Sequence, residues 1–201
     1  MATETPKVAL VTAGSAGLGA AIARMLFLEC SMSVIINYSS NGPRAKNLIE
    51  NLQNELNQRT TGTATATAPR QTIKAIQADL HQKSEIERLV QETVAGAGRL
   101  DVVISNVGWT RMSNFMDLEQ GVEESDWDRC FDVNVKGHLW LFHAARGALE
   151  ESEGVFVSTA SVAGVKPSGS SLVSLVPSCA HGCWDYTQEY SMKYVHAGVV
   201  V

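Results

Sequence analysis

Residues 12–19, TAGSAGLG, stand between a β-branched run and a segment of helical period. Glycines at such a junction let the backbone turn sharply and approach a pyrophosphate. The phosphates then meet the unbonded N–H groups and the positive dipole end of the following helix. At the end of the next β-branched run, NYSSNGPR (37–44), a carboxylate would bond an adenosine 2'-hydroxyl and repel a 2'-phosphate. None is present: Tyr38 takes that place, Ser39 and Ser40 offer hydroxyls, and Arg44 is placed to meet a phosphate from the start of the next helix. NADP is therefore expected ahead of NAD. Residues 158–164, STASVAG, have the composition of an active-site lip, yet 169–182 hold neither tyrosine nor lysine to act as a proton donor. The plain structural alternatives are a Gly-rich turn, a strand-end turn and a Ser-rich junction. Placement of the first motif directly after the first strand raises the dinucleotide reading above its alternative.

The elements that would carry these residues follow from hydrophobic period. KVALV (7–11) reads as a strand, and Leu18, Ile22, Met25 and Leu26 as the apolar face of a helix. SVIIN (33–37) is a second buried strand, followed by Pro43 near a helix start and an apolar face of Ala45, Leu48, Ile49, Leu52 and Leu56. A polar link, 58–72, leads to strand IKAIQ (73–77). Ser84 and Glu87 then form a capping-box pair ahead of Ile86, Leu89, Val90 and Val94. Strand DVVIS (101–105), a long helix over about 124–149 and strand GVFVS (154–158) complete the pattern.

Five strands interleaved with four helices predict parallel pairing through right-handed crossovers. The expected fold is α/β, a Rossmann-like doubly wound parallel sheet incomplete at the C-terminal side, with its ligand site beyond the strand ends where the order reverses. Residues 138–145, HLWLFHAA, are apolar nearly all round, which predicts burial against a second subunit or a close helix of the same chain.

With 201 residues, 45% hydrophobic and 18% charged, the chain is the size of one globular domain. A net charge of −5 without basic runs argues against nucleic acid or an anionic membrane surface as partner. Four cysteines without framework spacing, and no leader or membrane-length apolar run, lead to an expected cytoplasmic, reduced setting.

Taken together, these motifs resemble the short-chain dehydrogenase/reductase family, whose turn reads TGxxxGxG. Gly17 and Gly19 match its second and third glycines, while Ala13 replaces the first. The resemblance implies cofactor contacts at Thr12, Gly14, Ser15, Gly17, Leu18 and Gly19, and an adenine contact at Asp79 and Leu80. SNVG (105–108) stands for the usual NNAG, with Ser105 in place of an asparagine and Asn106 and Gly108 retained. By the same resemblance Asn134 in DVNVKG interrupts helical bonding and holds a water near the catalytic lysine, and Ser161 binds the substrate carbonyl, which makes these two the surviving catalytic positions. The implied activity is NADP-linked oxidoreduction of a small carbonyl or alcohol. Pairing of two copies through the 124–149 helix is a further expectation.

In that family a tyrosine follows the serine by thirteen residues and a lysine comes four later, the phenol donating a proton with its pKa lowered by the ammonium. Counting from Ser161 gives Ser174 and Ser178. The resemblance ends at Leu172, so the expected division is a nucleotide-binding domain over 1–172 and a divergent tail over 173–201. Three readings of the tail compete: Tyr186 or Tyr190 with Lys193 as a replacement pair, Cys179, His181 and Cys183 as a metal site, or a segment from an unspliced intron or shifted frame. The third is preferred, no metal is expected, and the activity is expected to be impaired. The alternative function is a non-catalytic nucleotide-binding or dimer-forming protein.

Overall fold

The protein is described by a computed structural model covering residues 5–60, 71–114 and 117–161, together with the backbone of 198–200. Its strands are β1 (Val8–Val11), β2 (Ser33–Tyr38), β3 (Ile73–Gln77), β4 (Val102–Ser105), β5 (Val155–Ala160) and β6 (Gly198–Val200). All pair in parallel in the order 3-2-1-4-5-6, so the order reverses between β1 and β4. This is the doubly wound α/β sheet that the alternation of strands and helices predicts.

Helices α1 (Gly17–Leu28) and α2 (Gly42–Thr60) cover one face, and α3 (Lys83–Ala97) and α5 (Gly137–Ser152) cover the other. The division is visible within β1, where Val8 and Leu10 join the α3/α5 core while Ala9 and Val11 join the α1/α2 core. A strand covered on both sides needs apolar side chains at every position, and that is why KVALV does not alternate. On the α3/α5 side Phe142 meets Phe156 edge to face at 5.2 Å.

Three local expectations are corrected. The buried side of α1 consists of Gly19, Ala23, Leu26, Phe27 and Leu28, while Leu18 and Met25 point outward. The Ser84 capping box does not form: α3 begins at Lys83 with Gln82 at its N-cap, which puts Ser84 inside the first turn. The polar link starts later than expected, because α2 continues through Thr60; 61–70 lie outside the described residues.

The long helix is α4 (Glu124–Phe131), a π-helical turn (Asp132–Lys136) and α5 in succession. Of the two explanations for its apolar run, the structure supplies the second: α3 of the same chain packs on α5, and His143, Arg146, Gly147 and Glu150 form an exposed stripe. Leu139, Trp140, Ala144 and Ala148 remain half-buried. Strand GVFVS is expected to be either a bare sheet edge or covered by the tail, and at its end the tail covers it: Gly198–Val200 pairs with Ser158–Ala160. Among the described residues no helix is long and apolar enough to cross a membrane.

Candidate functional site

The turn after β1 is tied to its neighbours by two buried side chains. Thr12 donates from Oγ1 to the Ile104 carbonyl at 3.2 Å and accepts the N–H groups of Asn106 at 2.8 Å and Val107 at 3.2 Å. Asn37 accepts the Ala13 N–H through Oδ1 at 3.2 Å and donates from Nδ2 to the Ala78 carbonyl at 3.0 Å. Each buried polar group is thus satisfied, and together they join the ends of β1, β2, β3 and β4. Asn37 was not singled out in the sequence, since a strand-end asparagine gives no signal of which distant backbone groups it will meet.

The glycines of the turn play different parts. A Cβ on Gly14 would lie 2.8 Å from the Val11 carbonyl oxygen and 2.9 Å from Ile36 Cβ, and one on Gly19 would overlap the Ala13 carbonyl oxygen. Both are therefore packing positions, where helix, turn and sheet approach closely. Gly17 has φ +51° with nothing within 4 Å of where a Cβ would stand. It needs glycine for its backbone and leaves open space beside it. Ala16, the N-cap of α1, makes no side-chain cap bond, and the first turn carries no acidic residue. The free N–H groups and positive end of α1 are left for an anion.

A crevice of about 370 Å³ opens at this point, at the switch between β1 and β4. Of the residues expected at a cofactor site, Ser15, Gly17, Tyr38 and Ser39 line it, as do Asp79, Leu80, Asn106 and Gly108. Thr12, Gly14 and Gly19 stand behind the wall in the supporting roles described above. Leu18 and Ser40 are not among its lining residues. Arg44 lines it from the start of α2, where the Asn41 side chain accepts the Arg44 N–H at 3.0 Å. Asp79 Oδ1 accepts the His81 N–H at 3.1 Å, which sets the bend after β3. An anion-ready helix start, an open glycine and an apolar slot made by Ala78, Leu80, Val107 and Val133 fit the phosphates and base of a dinucleotide.

Asn134 lies in the π turn, so the interruption of helical bonding expected there is present. Asn134 is not among the residues that line the crevice and supports the wall from behind. Oδ1 accepts the Trp109 N–H at 2.7 Å, and Nδ2 donates to the Trp109 carbonyl at 2.8 Å, so the amide clamps the backbone just after Gly108. Ser161 follows β5 directly and is half-buried, outside the lining of the crevice. Two residues before it, on β5, Thr159 donates to Asn106 Oδ1 at 3.5 Å, which connects the serine strand to the crevice wall. Tyr186, Tyr190, Lys193, Cys179, His181 and Cys183 lie outside the described residues, as do Ser174 and Ser178.

Sequence reasoning also missed His138. It is buried: Nε2–H donates to the Val107 carbonyl at 3.1 Å, so Nδ1 accepts from Ser105 Oγ at 2.7 Å and from Ser158 Oγ at 3.2 Å. Burial pushes its pKa down to about 4, against a smaller opposing effect of the Val107 bond. Ser105, a departure from the usual asparagine, is therefore one partner of an imidazole that joins β4, α5 and β5.

A parallel sheet of this order, with a glycine-turn crevice at its switch point, defines the class of dinucleotide-binding α/β proteins. Residues 7–174 match the family described as short chain dehydrogenase, and the chain belongs to that family. An uncharacterized oxidoreductase of Staphylococcus aureus is 32% identical over 174 residues, 86% of this chain and 66% of that relative. A hydroxynaphthalene reductase of Aspergillus fumigatus is 34% identical over 166 residues, 83% of this chain and 54% of its own length. The chain thus spans about two thirds or less of the length of these relatives. A short chain dehydrogenase of Burkholderia cenocepacia in complex with NADP superposes with a TM-score of 0.75 at 26% identity, covering 94% of this chain and 68% of the other.

Proposed function

We propose that the crevice binds NADP(H) in preference to NAD(H), and that the chain acts on a small carbonyl or alcohol as an oxidoreductase of its family. The observation that carries this reading is one crevice running from the uncapped start of α1 to Arg44, with no carboxylate at the end of β2. The 2'-hydroxyl acceptor that would select NAD is missing, and a guanidinium stands where a 2'-phosphate would be held. The NADP complex of the Burkholderia relative supports the same choice. When bound, the nicotinamide supplies or accepts the hydride.

The chain's own contributions are then distinct. Thr12 and Asn37 hold the turn, Gly17 leaves room for the phosphates, Asp79 and Leu80 flank the base, and Asn134 fixes the Trp109 backbone. Ser161, at the end of β5, is assigned to the substrate oxygen. Serines at 174 and 178 provide neither the phenol nor the ammonium of the family, and loss of general acid catalysis lowers rates by about a hundredfold to ten-thousandfold. Turnover is accordingly slow, and the same two serines favour a second reading in which the protein binds nucleotide without turnover. Cys30 and Cys130, in no disulfide among the described residues, suit a reducing cytoplasm, and half-buried Leu139 and Trp140 suit pairing of two copies along the 124–149 helix.

Fluorescence titration with NADPH and NADH, Trp109 being in the crevice wall, tests the cofactor assignment. NADPH is expected to bind at least about tenfold tighter, the worth of one charge-assisted contact. Equal or tighter binding of NADH would sink it. Turnover of a panel of aldehydes and ketones then separates the slow enzyme from the non-catalytic binder.

A further inference from the structure

Eight arginines lie among the described residues, and six of them are ion-paired to carboxylates. Arg24 pairs with Glu55, Arg59 with Glu29 and Glu55, Arg88 with Glu85 and Glu92, Arg99 with Asp101, Arg111 with Asp126, and Arg146 with Glu150. The two that are not, Arg44 and Arg129, both line the crevice. A surface arginine within reach of a carboxylate gains a little by pairing with it. Leaving two guanidinium groups unneutralised in one concavity instead builds a positive potential suited to a polyanion. The crevice wall holds one carboxylate, Asp79, while His81 is paired with Asp132 at 3.2 Å.

Arg129 is also held in place. Its guanidinium carbon lies 4.9 Å from the centroid of the Trp109 ring, and the Trp109 backbone is clamped at both N–H and C=O by Asn134. A guanidinium stacked on an indole is pre-organised and still has its edge donors free. Val133, one turn further along the helix and on the same side, lines the crevice too. The two arginines enter from different strands. Arg44 comes just after β2, whereas Trp109, which carries Arg129, follows β4, the neighbour of β1 and of its anion-ready turn.

We propose that Arg129 binds the pyrophosphate that NADPH and NADH share, adding to the contact of Arg44 with the 2'-phosphate assigned above. This assignment rests on the reading of the crevice as a dinucleotide site. It makes Arg129 a determinant of affinity common to both cofactors and Arg44 the determinant of choice between them.

The test is direct titration of wild type, Arg129→Gln, Arg129→Lys and Arg44→Gln with NADPH, NADH and adenosine. Arg129→Gln is expected to weaken NADPH and NADH by a similar factor, about tenfold to a hundredfold, and to leave adenosine unchanged. Arg129→Lys keeps the charge without the fork and retains part of the affinity. Arg44→Gln weakens NADPH alone. Arg129 is exposed, so its variants are expected to fold, and an unchanged melting midpoint without nucleotide verifies that. Unchanged affinity for both nucleotides in Arg129→Gln, a loss confined to NADPH, or an equal loss for adenosine would each overturn the assignment. If wild type binds neither nucleotide, the dinucleotide reading of the crevice falls and this proposal falls with it, a result distinct from failure of the variant alone.

Discussion

His138 has traded solvation for a place between three elements. Its Nε2–H serves Val107 and its Nδ1 receives Ser105 and Ser158, so the neutral imidazole has both nitrogens bonded, and burial away from water opposes its charging. The folded pKa of about 4 lies below the unfolded value near 6.5. As pH falls through 6.5 the unfolded chain takes up a proton that the native protein refuses, so stability declines between about pH 6.5 and 4 and is fully present above that window. The loss approaches about 3 kcal/mol at its lower end. Urea midpoints of wild type and His138→Gln across pH 4.5–7.5 measure this, with the slope expected to shrink in the variant; equal slopes would show that His138 does not titrate as its burial requires. Ser105 is legible in the sequence as a departure from asparagine, but its meaning is not, because the partner lies 33 positions away and becomes a neighbour only when α5 packs under β4.

The β1–α1 turn shows how far an element can be read from its residues. Ala13 replaces the first glycine of the family turn, and the structure places it at φ +48°, in the left-handed region. An alanine there carries strain of about 1–2 kcal/mol, which the Asn37 bond to its N–H helps to hold. Ala13→Gly is therefore expected to raise stability by up to about 1 kcal/mol after the greater freedom of glycine in the unfolded chain is subtracted. A chemical-denaturation midpoint that falls on substitution would show that the turn is not strained. The strands themselves were legible, since a strand buried on both faces leaves an unbroken β-branched run. The inner face of α1 was not: large apolar residues at 18 and 25 suggest one face, whereas close packing on the sheet selects small Gly19 and Ala23. Likewise Ser84 and Glu87 have cap-like spacing, but Gln82 supplies the first helical carbonyl, accepting from Glu85 and Ile86 at 3.1 Å. Sequence spacing identifies a helix start to within a turn, and backbone bonding decides which residue caps it.

At the scale of the molecule, the crevice belongs to no single element. Its walls come from the ends of β1, β2, β3 and β4 and from α4, and the bonds of Thr12, Asn37 and Asn134 run between those pieces. Much of this wall was readable as motifs in the right order, while Arg129 and Trp109 were not, because only the fold brings α4 over the end of β4. β6 escaped notice for a similar reason: three residues are too short a run to read as a strand before their neighbour on β5 is known. A ligand that touches several strand ends must lose all its contacts when the sheet opens, so its binding is linked to global unfolding rather than to fraying of one loop. At a hundred times its dissociation constant NADPH adds about 2.7 kcal/mol to the stability of a protein whose unfolded chain does not bind it. For a chain of this size that corresponds to a rise in melting midpoint of about 5–10 °C. NADH at the same concentration is expected to give a smaller rise, and Arg44→Gln to bring the two curves together. A melt with no NADPH-dependent shift at saturating concentration would mean that the crevice is not a formed nucleotide site, whatever its shape.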